Sequence, residues 1–479
     1  MTPRIAIIGG GPGGYVAAVR AAQRGAAVTV IEKERVGGTC LNWGCIPSKI
    51  MKTTAELLDH MRQANAYGIS GAGAVAADME TLMARKEKIC QTQAKGIEGL
   101  LANHKIILLN GHGRISGPGQ LTVDLADGST ETVAWDKLII ATGTVPLNIP
   151  AFPFDGEAVI SSNEALCLKA VPASMVIVGG GVIGCEFACI LAALGSQVTV
   201  IEALDRLLPL PSVDEACSKH LQREMKKRKI KFILKRTVAS VRKEGGHLKV
   251  VVGPSPFVDA DSLTAKESEP MVIEAEKVLV CIGRSPLSGE IGLDKIGVAC
   301  DERGWIIADE GLRTNVPEVY AIGDILGPSR VMLAHVASAE GLVAAENATG
   351  GDSKMDYRAV PGAIFTIPEV GNVGLTEAQA VAAGMDVRAD SVLLRTLGKA
   401  QAMGELAGEA KLISERGSGK VLGVHIVGAH ATDLIAEGGL AVQNGLTVEQ
   451  VASTIHAHPT LGEAMLEVSL KAMDRALHG

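Results

Sequence analysis

One stretch of this sequence occurs twice, and the repeat constrains the fold more than any other feature. Residues 175–202 match residues 5–32, so that Met175 lies 170 residues after Ile5. Each copy reads as a short apolar strand, a glycine-rich turn, a helix and a second strand ending on a glutamate. In the first copy these elements are a strand at residues 4–8, a helix at 15–24 and a strand at 27–32. The turn glycines are Gly9, Gly11 and Gly14 in the first copy and Gly179, Gly181 and Gly184 in the second.

This arrangement predicts a fold that binds a dinucleotide. The glycines allow a pyrophosphate to approach the start of the helix, and a carboxylate about 20 residues further on accepts a ribose hydroxyl. Glu32 and Glu202 hold that position in the two copies. A glycine-rich turn alone could reflect tight packing, but the strands, the helix and the terminal glutamate together favour the dinucleotide. Two complete copies therefore indicate two bound dinucleotides.

The glutamate of the second copy also bears on the choice between NAD and NADP. A carboxylate at Glu202 would repel a 2′-phosphate and accept a hydrogen bond from a 2′-hydroxyl, which favours NAD. Arg206 lies close by in the sequence and could attract a 2′-phosphate instead. The sequence favours NAD but leaves this choice open.

Two cysteines, Cys40 and Cys45, stand within the stretch GGTCLNWGCIPSK at residues 37–49. Five helical residues span about 7.5 Å along the axis, whereas the Cα atoms of a disulfide lie about 4.4–6.8 Å apart. A bond between the two would need a distorted turn, for which Gly44 gives the freedom, and Pro47 is tolerated if a helix is just starting. A helix N-terminus would stabilise the thiolate released on reduction. From these residues alone, two unrelated buried thiols or a zinc-binding pair remain alternatives.

Composition excludes several classes of protein. The chain has 479 residues, enough for about three domains, and its 47% hydrophobic and 3% aromatic residues predict a packed α/β protein. A net charge of −7 does not indicate the basic surface that binds nucleic acid. No apolar run approaches the ~20 residues that cross a bilayer. The nine cysteines lack a secreted pattern, and a strand from about Arg4 leaves no room for a targeting peptide. We expect a cytoplasmic protein, or a mature form, that binds neither nucleic acid nor a membrane.

The rest of the chain predicts a return to the first domain and then a change of architecture. Residues 51–110 are helical in character, and residues 253–270 read as a surface connection. A weak echo relates residues 138–146 to residues 278–286, and a strand within residues 314–325 returns to the first domain. Beyond about residue 350, a separate α+β domain is expected. Its strands are predicted within 363–374, 410–415 and 421–428, and its helices within 431–444, 447–455 and 460–477.

The segment HAHPTLGE at residues 456–463 has two interpretations. Histidine is the side chain suited to accept a proton near neutral pH, so His458 could be a base, and a carboxylate such as Glu463 could orient it and stabilise its charged form. Thr460 and Glu463 are also spaced as a capping box that opens the last helix. The residues alone support both interpretations equally.

Over nearly its whole length the chain resembles the pyridine nucleotide-disulfide oxidoreductase family, and within it the branch that oxidises dihydrolipoamide. The resemblance rests on the two glycine motifs, GGTCLNWGCIPSK, VYAIGD at 319–324, MLAH at 332–335 and HAHPTLGE. It implies an α/β fold with two Rossmann-like domains, the first binding FAD and the second NAD, followed by a C-terminal α+β dimerisation domain. The implied domains are 1–148 for FAD, 149–280 for NAD, 281–349 returning to the FAD domain, and 350–479 for the dimer interface.

The resemblance also implies the roles of individual residues. Cys45 would lie against the flavin and Cys40 would meet the substrate, while Lys49, paired with Glu186, would lie beside flavin N5. His458 would be the base, oriented by Glu463 and supplied by the other subunit of a homodimer. The implied FAD contacts are Gly9, Gly11, Gly14, Glu32, Lys49, Gly113, Thr142, Gly143, Asp324, Met332, Leu333, Ala334 and His335. The implied NAD contacts are Gly179, Gly181, Gly184, Glu202, Val238 and Gly283. One departure is Gly462, where the family usually has serine.

The activity implied by the resemblance is oxidation of protein-bound dihydrolipoamide with NAD, through a disulfide between Cys40 and Cys45 and through FAD. The partner would be a lipoyl-carrying protein, either the acyltransferase of a 2-oxo acid dehydrogenase complex or the H protein of glycine cleavage. No metal is expected. Glutathione reductase is disfavoured by Glu202, and mercuric reductase by the lack of any cysteine after Cys300. A subunit that keeps the fold without catalysis is the alternative from another class.

Overall fold

The structure, a computed structural model, describes residues 2–71 and 73–478. These residues form two compact units, each assembled from separate parts of the chain. Unit one consists of the chain up to Met51, Asp78–Leu147 and Gly283–Asp356. Unit two consists of Lys52–Ala77, Asn148–Ile282 and the chain from Tyr357 onward. The domain boundaries expected from the sequence stay predictions.

Strands and helices alternate through most of the chain. The strands are β1 (Arg4–Ile8), β2 (Ala27–Glu32), β3 (Ile107–Gly117), β4 (Gln120–Leu125), β5 (Thr130–Ala134), β6 (Lys137–Ile140), β7 (Thr144–Pro146), β8 (Val159–Ile160), β9 (Ser174–Val178), β10 (Gln197–Ile201), β11 (Lys231–Ile233), β12 (Arg236–Glu244), β13 (His247–Pro254), β14 (Met271–Ala275), β15 (Lys277–Val280), β16 (Arg284–Pro286), β17 (Val319–Ala321), β18 (Gly362–Ile364), β19 (Glu369–Gly374), β20 (Val387–Leu393), β21 (Glu409–Glu415) and β22 (Val421–Gly428). The helices are α1 (Pro12–Gln23), α2 (Gly38–Trp43), α3 (Cys45–Arg62), α4 (Met79–Asn103), α5 (Ser162–Ala165), α6 (Val182–Leu194), α7 (Glu215–Lys227), α8 (Ala265–Ser268), α9 (Ala334–Ala348), α10 (Glu377–Ala382), α11 (Gly398–Met403), α12 (Ala431–Asn444), α13 (Val448–Ser453) and α14 (Glu463–Ala472). Within residues 2–71 and 73–478, no α-helix combines the length and apolar character needed to cross a membrane.

Unit one is built on a sheet with the strand order β17-β6-β1-β2-β3-β4-β5. Strands β17, β6, β1, β2 and β3 run parallel, and β4 and β5 continue the sheet in antiparallel pairing. Ile5, Ile7 and Ile139 are almost completely buried, as is typical of parallel strands covered on both faces. The strands predicted at residues 4–8 and 27–32 are confirmed. The first helix starts earlier than predicted, at Pro12, because proline fits the first turn of a helix.

The glycine turn of unit one brings helix α1 very close to strand β1. Gly9 has a φ of +104°, and a Cβ atom there would lie 2.3 Å from the carbonyl oxygen of Ala141. A Cβ atom at Gly14 would lie 1.9 Å from the carbonyl oxygen of Gly9. Side chains at these two positions would therefore push the helix away from the sheet.

Unit two repeats this construction. Its parallel sheet has the order β11-β10-β9-β15-β8, and the turn between β9 and α6 reproduces the distances of unit one. A Cβ atom at Gly179 would lie 2.4 Å from the carbonyl oxygen of Cys281, and one at Gly184 would lie 1.9 Å from that of Gly179. The internal repeat of the sequence is thus a repeat of backbone geometry.

Unit two also contains the smaller sheet β12-β13-β14 and an antiparallel sheet with the order β18-β19-β22-β21-β20. With helices α12, α13 and α14, the second sheet confirms the α+β architecture predicted beyond about residue 350. The last helix is shorter than the predicted 460–477. It ends at Ala472 because the N–H groups of Met473 and Arg475 both bond to the carbonyl of Leu470, and Asp474 adopts a left-handed conformation.

Two other regions add detail to the sequence prediction. The segment 253–270, which the sequence predicts as a surface connection, is mostly exposed and contains a 3₁₀ turn at Ala260–Ser262 and helix α8, which Thr264 opens with a capping box. Within residues 314–325, strand β17 is only three residues long and a 3₁₀ turn at Gly323–Leu326 follows it.

We predict that Gly14→Ala destabilises unit one whereas Gly11→Ala does not. The methyl group at residue 14 would overlap the Gly9 carbonyl, and overpacking costs about 3 kcal/mol. At Gly11 the nearest atom to an added Cβ is the Gly38 Cα at 3.7 Å, an ordinary contact, so the loss should stay below about 1 kcal/mol. The three tryptophans, Trp43, Trp135 and Trp305, all belong to unit one, so urea unfolding followed by tryptophan fluorescence measures the difference. Equal unfolding midpoints for the two variants would contradict the packing argument.

Candidate active site

Cys40 and Cys45 lie on either side of a break between two helices. Helix α2 ends at Trp43, and α3 starts at Cys45. Gly44 between them has φ −155° and ψ −111°, and a Cβ atom there would lie 3.0 Å from the carbonyl oxygen of Thr39. The distorted turn predicted from the sequence is therefore present, and Pro47 occupies the first turn of α3, where its missing N–H is not needed.

The two cysteines are thiols in this structure, with Cys40 half-buried and Cys45 exposed. The hydrogen bond between the two side chains raises the pKa of Cys40 far above its ordinary value, and burial and the charge of Cys45 raise it further. Lys49 acts in the opposite direction. Cys40 thus holds its proton strongly, and Cys45 begins helix α3 at the end where an anion is stabilised. Within the described part of the chain, no cluster of three or more His, Cys, Asp or Glu side chains could hold a metal ion.

Lys49 and Glu186, predicted as an ion pair, belong to different units, so their pairing stays a prediction. Lys49 is half-buried, and its Nζ atom donates to Ser48 Oγ at 3.2 Å. Glu186 is buried in α6 and accepts a hydrogen bond from the backbone N–H of Phe365 at 2.9 Å. One turn beyond Lys49, Lys52 is buried and ion-paired with Glu369.

The two strand-ending glutamates hold the glycine turns in place. Glu32 is buried, and its carboxylate oxygens accept hydrogen bonds from Gly10 N at 2.7 Å and Glu34 N at 2.9 Å. Burial raises its pKa, although these two bonds oppose the shift. Glu202 makes the same two contacts, at 2.6 Å to Gly180 N and 2.8 Å to Leu204 N. Each carboxylate therefore fixes the turn beside which a dinucleotide would bind.

The guanidinium of Arg206 is hydrogen-bonded to the main chain of its own loop. This residue left the choice between NAD and NADP open in the sequence. Its Nη1 donates to the carbonyl of Val213 at 3.0 Å, and its Nη2 to the carbonyls of Leu210 and Val213 at 3.0 and 3.1 Å. Up to three of the five N–H groups of Arg206 are thus engaged by its own loop, which leaves fewer of them for a 2′-phosphate.

Asp324 is part of a polar network that the sequence did not predict. Its Oδ2 atom accepts a hydrogen bond from Thr144 Oγ1 at 3.3 Å, and Thr144 Oγ1 in turn accepts one from Arg284 Nε at 2.5 Å. Burial raises the pKa of Asp324, against the charge of Arg284 and the Thr144 bond. The only sequence signal was the weak echo between residues 138–146 and 278–286, whose ends become the paired strands β7 and β16.

The other residues predicted to contact the dinucleotides are spread over both units. Met332–His335 span the start of the 15-residue helix α9, and Gly113 lies in β3, where an added Cβ would be 3.0 Å from Ile31. Gly143 and Gly283 have φ values of +66° and +135°. Val238 is 4% exposed and packs in an apolar cluster, so only its backbone would be available to a ligand. The roles of these residues stay predictions.

His458 and Glu463 form a close pair in unit two, and Glu463 also performs part of the capping function. His458 Nδ1 lies 2.8 Å from Glu463 Oε1, while Glu463 Oε2 accepts a hydrogen bond from the backbone N–H of Thr460 at 2.9 Å. In a capping box the Thr460 hydroxyl would also accept a hydrogen bond from the N–H of Glu463. Here that hydroxyl donates to the Ala457 carbonyl instead. The two interpretations of this segment are therefore compatible.

Exposure and charge distinguish the two members of this pair. The His458 side chain is 75% exposed and the Glu463 side chain 18%. Burial raises the pKa of Glu463, but the hydrogen bonds from His458 and Thr460 outweigh it and leave the pKa below its ordinary value.

Two further His–Glu pairs occur nearby in the sequence. His456 Nε2 lies 3.0 Å from Glu437 Oε1, with the imidazole only 6% exposed. His478 Nδ1 lies 2.9 Å from Glu467 Oε1, with the imidazole 71% exposed. The geometry of the His–Glu pair therefore does not distinguish His458 from His478. The sequence motif around His458 distinguishes them.

Two family models match the chain. Residues 3–341 match pyridine nucleotide-disulphide oxidoreductase, and residues 360–469 match the dimerisation domain of pyridine nucleotide-disulphide oxidoreductases. The chain belongs to this oxidoreductase family. It is accordingly an enzyme whose cofactors are FAD and NAD, and the second match supports a homodimer.

Proteins named dihydrolipoyl dehydrogenase are similar to this oxidoreductase over nearly its full length. Dihydrolipoyl dehydrogenase of Chlamydia muridarum is 41% identical over 474 residues, which cover 98% of this chain and 97% of the relative. Dihydrolipoyl dehydrogenase of Bacillus subtilis is 39% identical over 483 residues, covering 99% and 98%. The crystal structure of LpdA from Mycobacterium tuberculosis superposes with a TM-score of 0.88 at 29% identity, covering 98% of this chain and 99% of that one. The expected fold class is confirmed.

The glycine turns fit the two dinucleotides of the family. A Cβ atom added at Gly181 would have no neighbour within 4 Å, and one at Gly11 would meet only the Gly38 Cα, so the main chain is open at both turns. Among the residues that the structure describes, Thr142 Oγ1 in unit one is buried without a hydrogen-bond partner. Such a group is expected where a ligand completes the site.

We predict that the contribution of Glu463 to stability depends on pH. Because its pKa is lower in the folded protein than its ordinary value of 4.5, the ionised carboxylate stabilises the fold above that pH, and this stabilisation is lost as the pH falls through the lowered value. Urea unfolding of Glu463→Gln should therefore show a deficit at pH 7 that shrinks as the pH falls below 4.5. Glu449→Gln, an exposed position on α13, is the control. A deficit that stays constant with pH would rule out this linkage.

Proposed function

We propose that this enzyme oxidises protein-bound dihydrolipoamide to lipoamide and transfers the electrons to NAD. The observation that carries the proposal is the Cys40–Cys45 pair, in which one thiol keeps its proton and is hydrogen-bonded to the other at the start of a helix. A dithiol poised in this way exchanges with dithiol substrates. The full-length similarity to proteins named dihydrolipoyl dehydrogenase supports dihydrolipoamide as that substrate.

The exchange begins with the oxidised Cys40–Cys45 disulfide. A substrate thiolate attacks Cys40 Sγ, the bond between the cysteines breaks, and Cys45 leaves as a thiolate. The second substrate sulfur then attacks the first, which forms lipoamide and releases Cys40. The substrate loses two protons in all, of which Cys40 receives one. The raised pKa of Cys40 and the hydrogen bond to Cys45 fit this distribution of charge.

His458 would receive the other proton. The hydrogen bond of Nδ1 to Glu463 leaves Nε2 to accept it, and the nearby carboxylate stabilises the imidazolium that results. His458 and Cys40 belong to different units, and the dimerisation-domain match supports a homodimer in which the histidine acts on the cysteine of the other subunit.

FAD, when bound, supplies a two-electron carrier between the dithiol and NAD. Glu32 and the turn at Gly9–Gly14 would hold its adenosine diphosphate portion, and Asp324 and residues 332–335 its ribityl and flavin portions. Glu202 and the turn at Gly179–Gly184 would hold NAD. Glu202 would repel a 2′-phosphate, and because Arg206 is bound to its own loop, NAD is favoured over NADP.

We further infer a lipoyl-carrying partner and a cytoplasmic location. The partner would be the acyltransferase of a 2-oxo acid dehydrogenase complex or the H protein of glycine cleavage. The location follows from cysteine usage, since a dithiol that cycles through reduction is typical of a reducing compartment.

Anaerobic titration of the purified flavoprotein tests the proposal. One equivalent of dihydrolipoamide should reduce the enzyme and produce a long-wavelength absorbance band, and NAD but not NADP should discharge it. Cys45→Ser should lose the band. If dihydrolipoamide leaves the spectrum unchanged while NADPH and another disulfide turn over, the substrate and the dinucleotide are both wrong. A flavoprotein that no dithiol reduces would indicate a subunit without catalysis.

We predict that His458→Gln and His478→Gln differ sharply, although each removes a histidine that is paired with a glutamate of α14. Loss of a general base costs about 10²–10⁴-fold, so His458→Gln should slow reduction by dihydrolipoamide at least ~100-fold and leave reduction by NADH unchanged. His478→Gln should stay close to the unmodified enzyme in both half-reactions. Stopped-flow absorbance separates the two half-reactions. Equal rates for the two variants with dihydrolipoamide would contradict the assignment of the base.

A further inference from the structure

The loop that follows the strand-ending glutamate of unit two is bonded to the glycine turn of that unit. This loop, residues 203–214, leads from strand β10 to helix α7. The N–H of Leu208 donates to the carbonyl oxygen of Gly180 at 2.8 Å, and the N–H of Gly180 donates to Glu202 Oε2 at 2.6 Å. A Cβ atom added at Gly180 would lie 2.7 Å from the Leu207 side chain. The loop therefore packs directly against the turn beside which NAD would bind.

The far end of the loop is held by the antiparallel sheet β18-β19-β22-β21-β20. Lys411 Nζ donates to both carboxylate oxygens of Asp214 at 3.1 Å, and Asn372 Nδ2 donates to the carbonyl oxygen of Ser212 at 2.9 Å. Lys411 on β21 and Asn372 on β19 each lie directly opposite His425 on β22. The three polar side chains thus form one row on a single face of the sheet, and two of them bond to the end of the loop.

The pair formed by Lys411 and Asp214 is largely withdrawn from water. Their side chains are 14% and 4% exposed, so their attraction is screened much less than that of a surface pair. Lys411 also pairs with the exposed Glu377 at 2.6 Å. Asp214 in addition accepts a hydrogen bond from the N–H of Ala216 at 2.9 Å and so caps α7. Lys411 therefore fixes a residue that ends the loop and opens the following helix.

Hydrogen bonds within this region connect the two ends of the loop. Arg206 donates to the carbonyl oxygen of Val213, the residue before the cap of α7. Ser218 on α7 is completely buried, and its hydroxyl donates to the carbonyl oxygen of Leu207 at 2.5 Å. A displacement of the start of α7 would therefore reach the backbone at residues 206–208, next to the glycine turn.

We propose that Lys411 is a positioning residue for NAD, which holds the loop against the glycine turn through Asp214 and so sets the affinity for the dinucleotide. Asn372 supports the same loop through Ser212. The proposal rests on the proposed function only in assigning this turn to NAD. The alternative is that the ion pair merely joins the sheet to α7, in which case its loss would lower stability and leave dinucleotide binding unchanged.

The test is a calorimetric titration of the holoenzyme with ADP-ribose, which carries the ribose and the pyrophosphate that a glycine turn binds. FAD already occupies the other turn, so the titration reports on unit two. Lys411→Met should raise the Kd about fivefold. Lys411→Arg, which keeps the charge, should recover more than half of the lost affinity.

Stopped-flow reduction of the flavin by NADH provides a second readout that involves no dithiol. In Lys411→Met the half-saturating NADH concentration should rise by the same factor while the limiting rate stays unchanged, because binding is weakened and hydride transfer is not. Lys420→Met is the matched control, since Lys420 is exposed just before β22 of the same sheet. Its Kd and its half-saturating concentration should equal those of the unmodified enzyme.

A second variant keeps the test decisive if Lys411→Met does not fold, because that change leaves the Asp214 carboxylate buried alone. The double variant of Lys411→Met with Asp214→Asn removes both charges and keeps a residue that caps a helix. It should show the same increase in Kd. An unchanged Kd for ADP-ribose in the folded variants would overturn the proposal.

Other outcomes separate this proposal from the proposed function. Reduction of the enzyme by NADPH in place of NADH would contradict the dinucleotide of the proposed function, and the same titration with NADPH would then decide the role of Lys411. An enzyme that shows the expected dependence on Lys411 with NADH but is not reduced by dihydrolipoamide would contradict only the proposed substrate.

Discussion

The close approach of a helix to a strand at each glycine turn is the constraint on which both units depend. At Gly14 and Gly184 an added side chain would begin 1.9 Å from a main-chain oxygen, so neither helix could start where it does with any other residue. The strand-ending glutamates complete the arrangement by binding the N–H groups of Gly10 and Gly180. Backbone contact, and not side-chain packing, thus sets the position of the two helix N-termini that a pyrophosphate needs.

Features that depend on neighbouring residues were predictable from the sequence. The repeated strands, the start of α3 beside Cys45 and the α+β character beyond residue 350 follow from local periodicity, proline and glycine, which act over a few residues. The predicted positions of helix ends were less accurate. The end of α14 depends on the left-handed conformation of Asp474, which few residues other than glycine favour.

Features that depend on distant residues were not predictable. Thr144 lies 140 residues from Arg284 and 180 from Asp324 in the chain, and no spacing rule relates such positions. Arg206 was equally ambiguous, since only the fold reveals that its guanidinium binds the carbonyls of its own loop. The roles expected for Lys49, Glu186 and His458 come from the resemblance to a family, since composition and periodicity leave them undetermined. His458 in particular shares its pairing geometry with His478, and chemistry alone would have given both equal weight.

The carboxylate of Glu463 is hydrogen-bonded to the imidazole of His458, and its backbone lies in the first turn of the last helix. That helix is held by the buried side chains of Ala464, Met465 and Val468, none of which takes part in any reaction. The apolar docking of the C-terminal segment therefore determines where the His458–Glu463 pair is held. Loss of these apolar contacts would release the pair together with the helix, so the orientation of the imidazole depends on core packing as well as on its hydrogen bond.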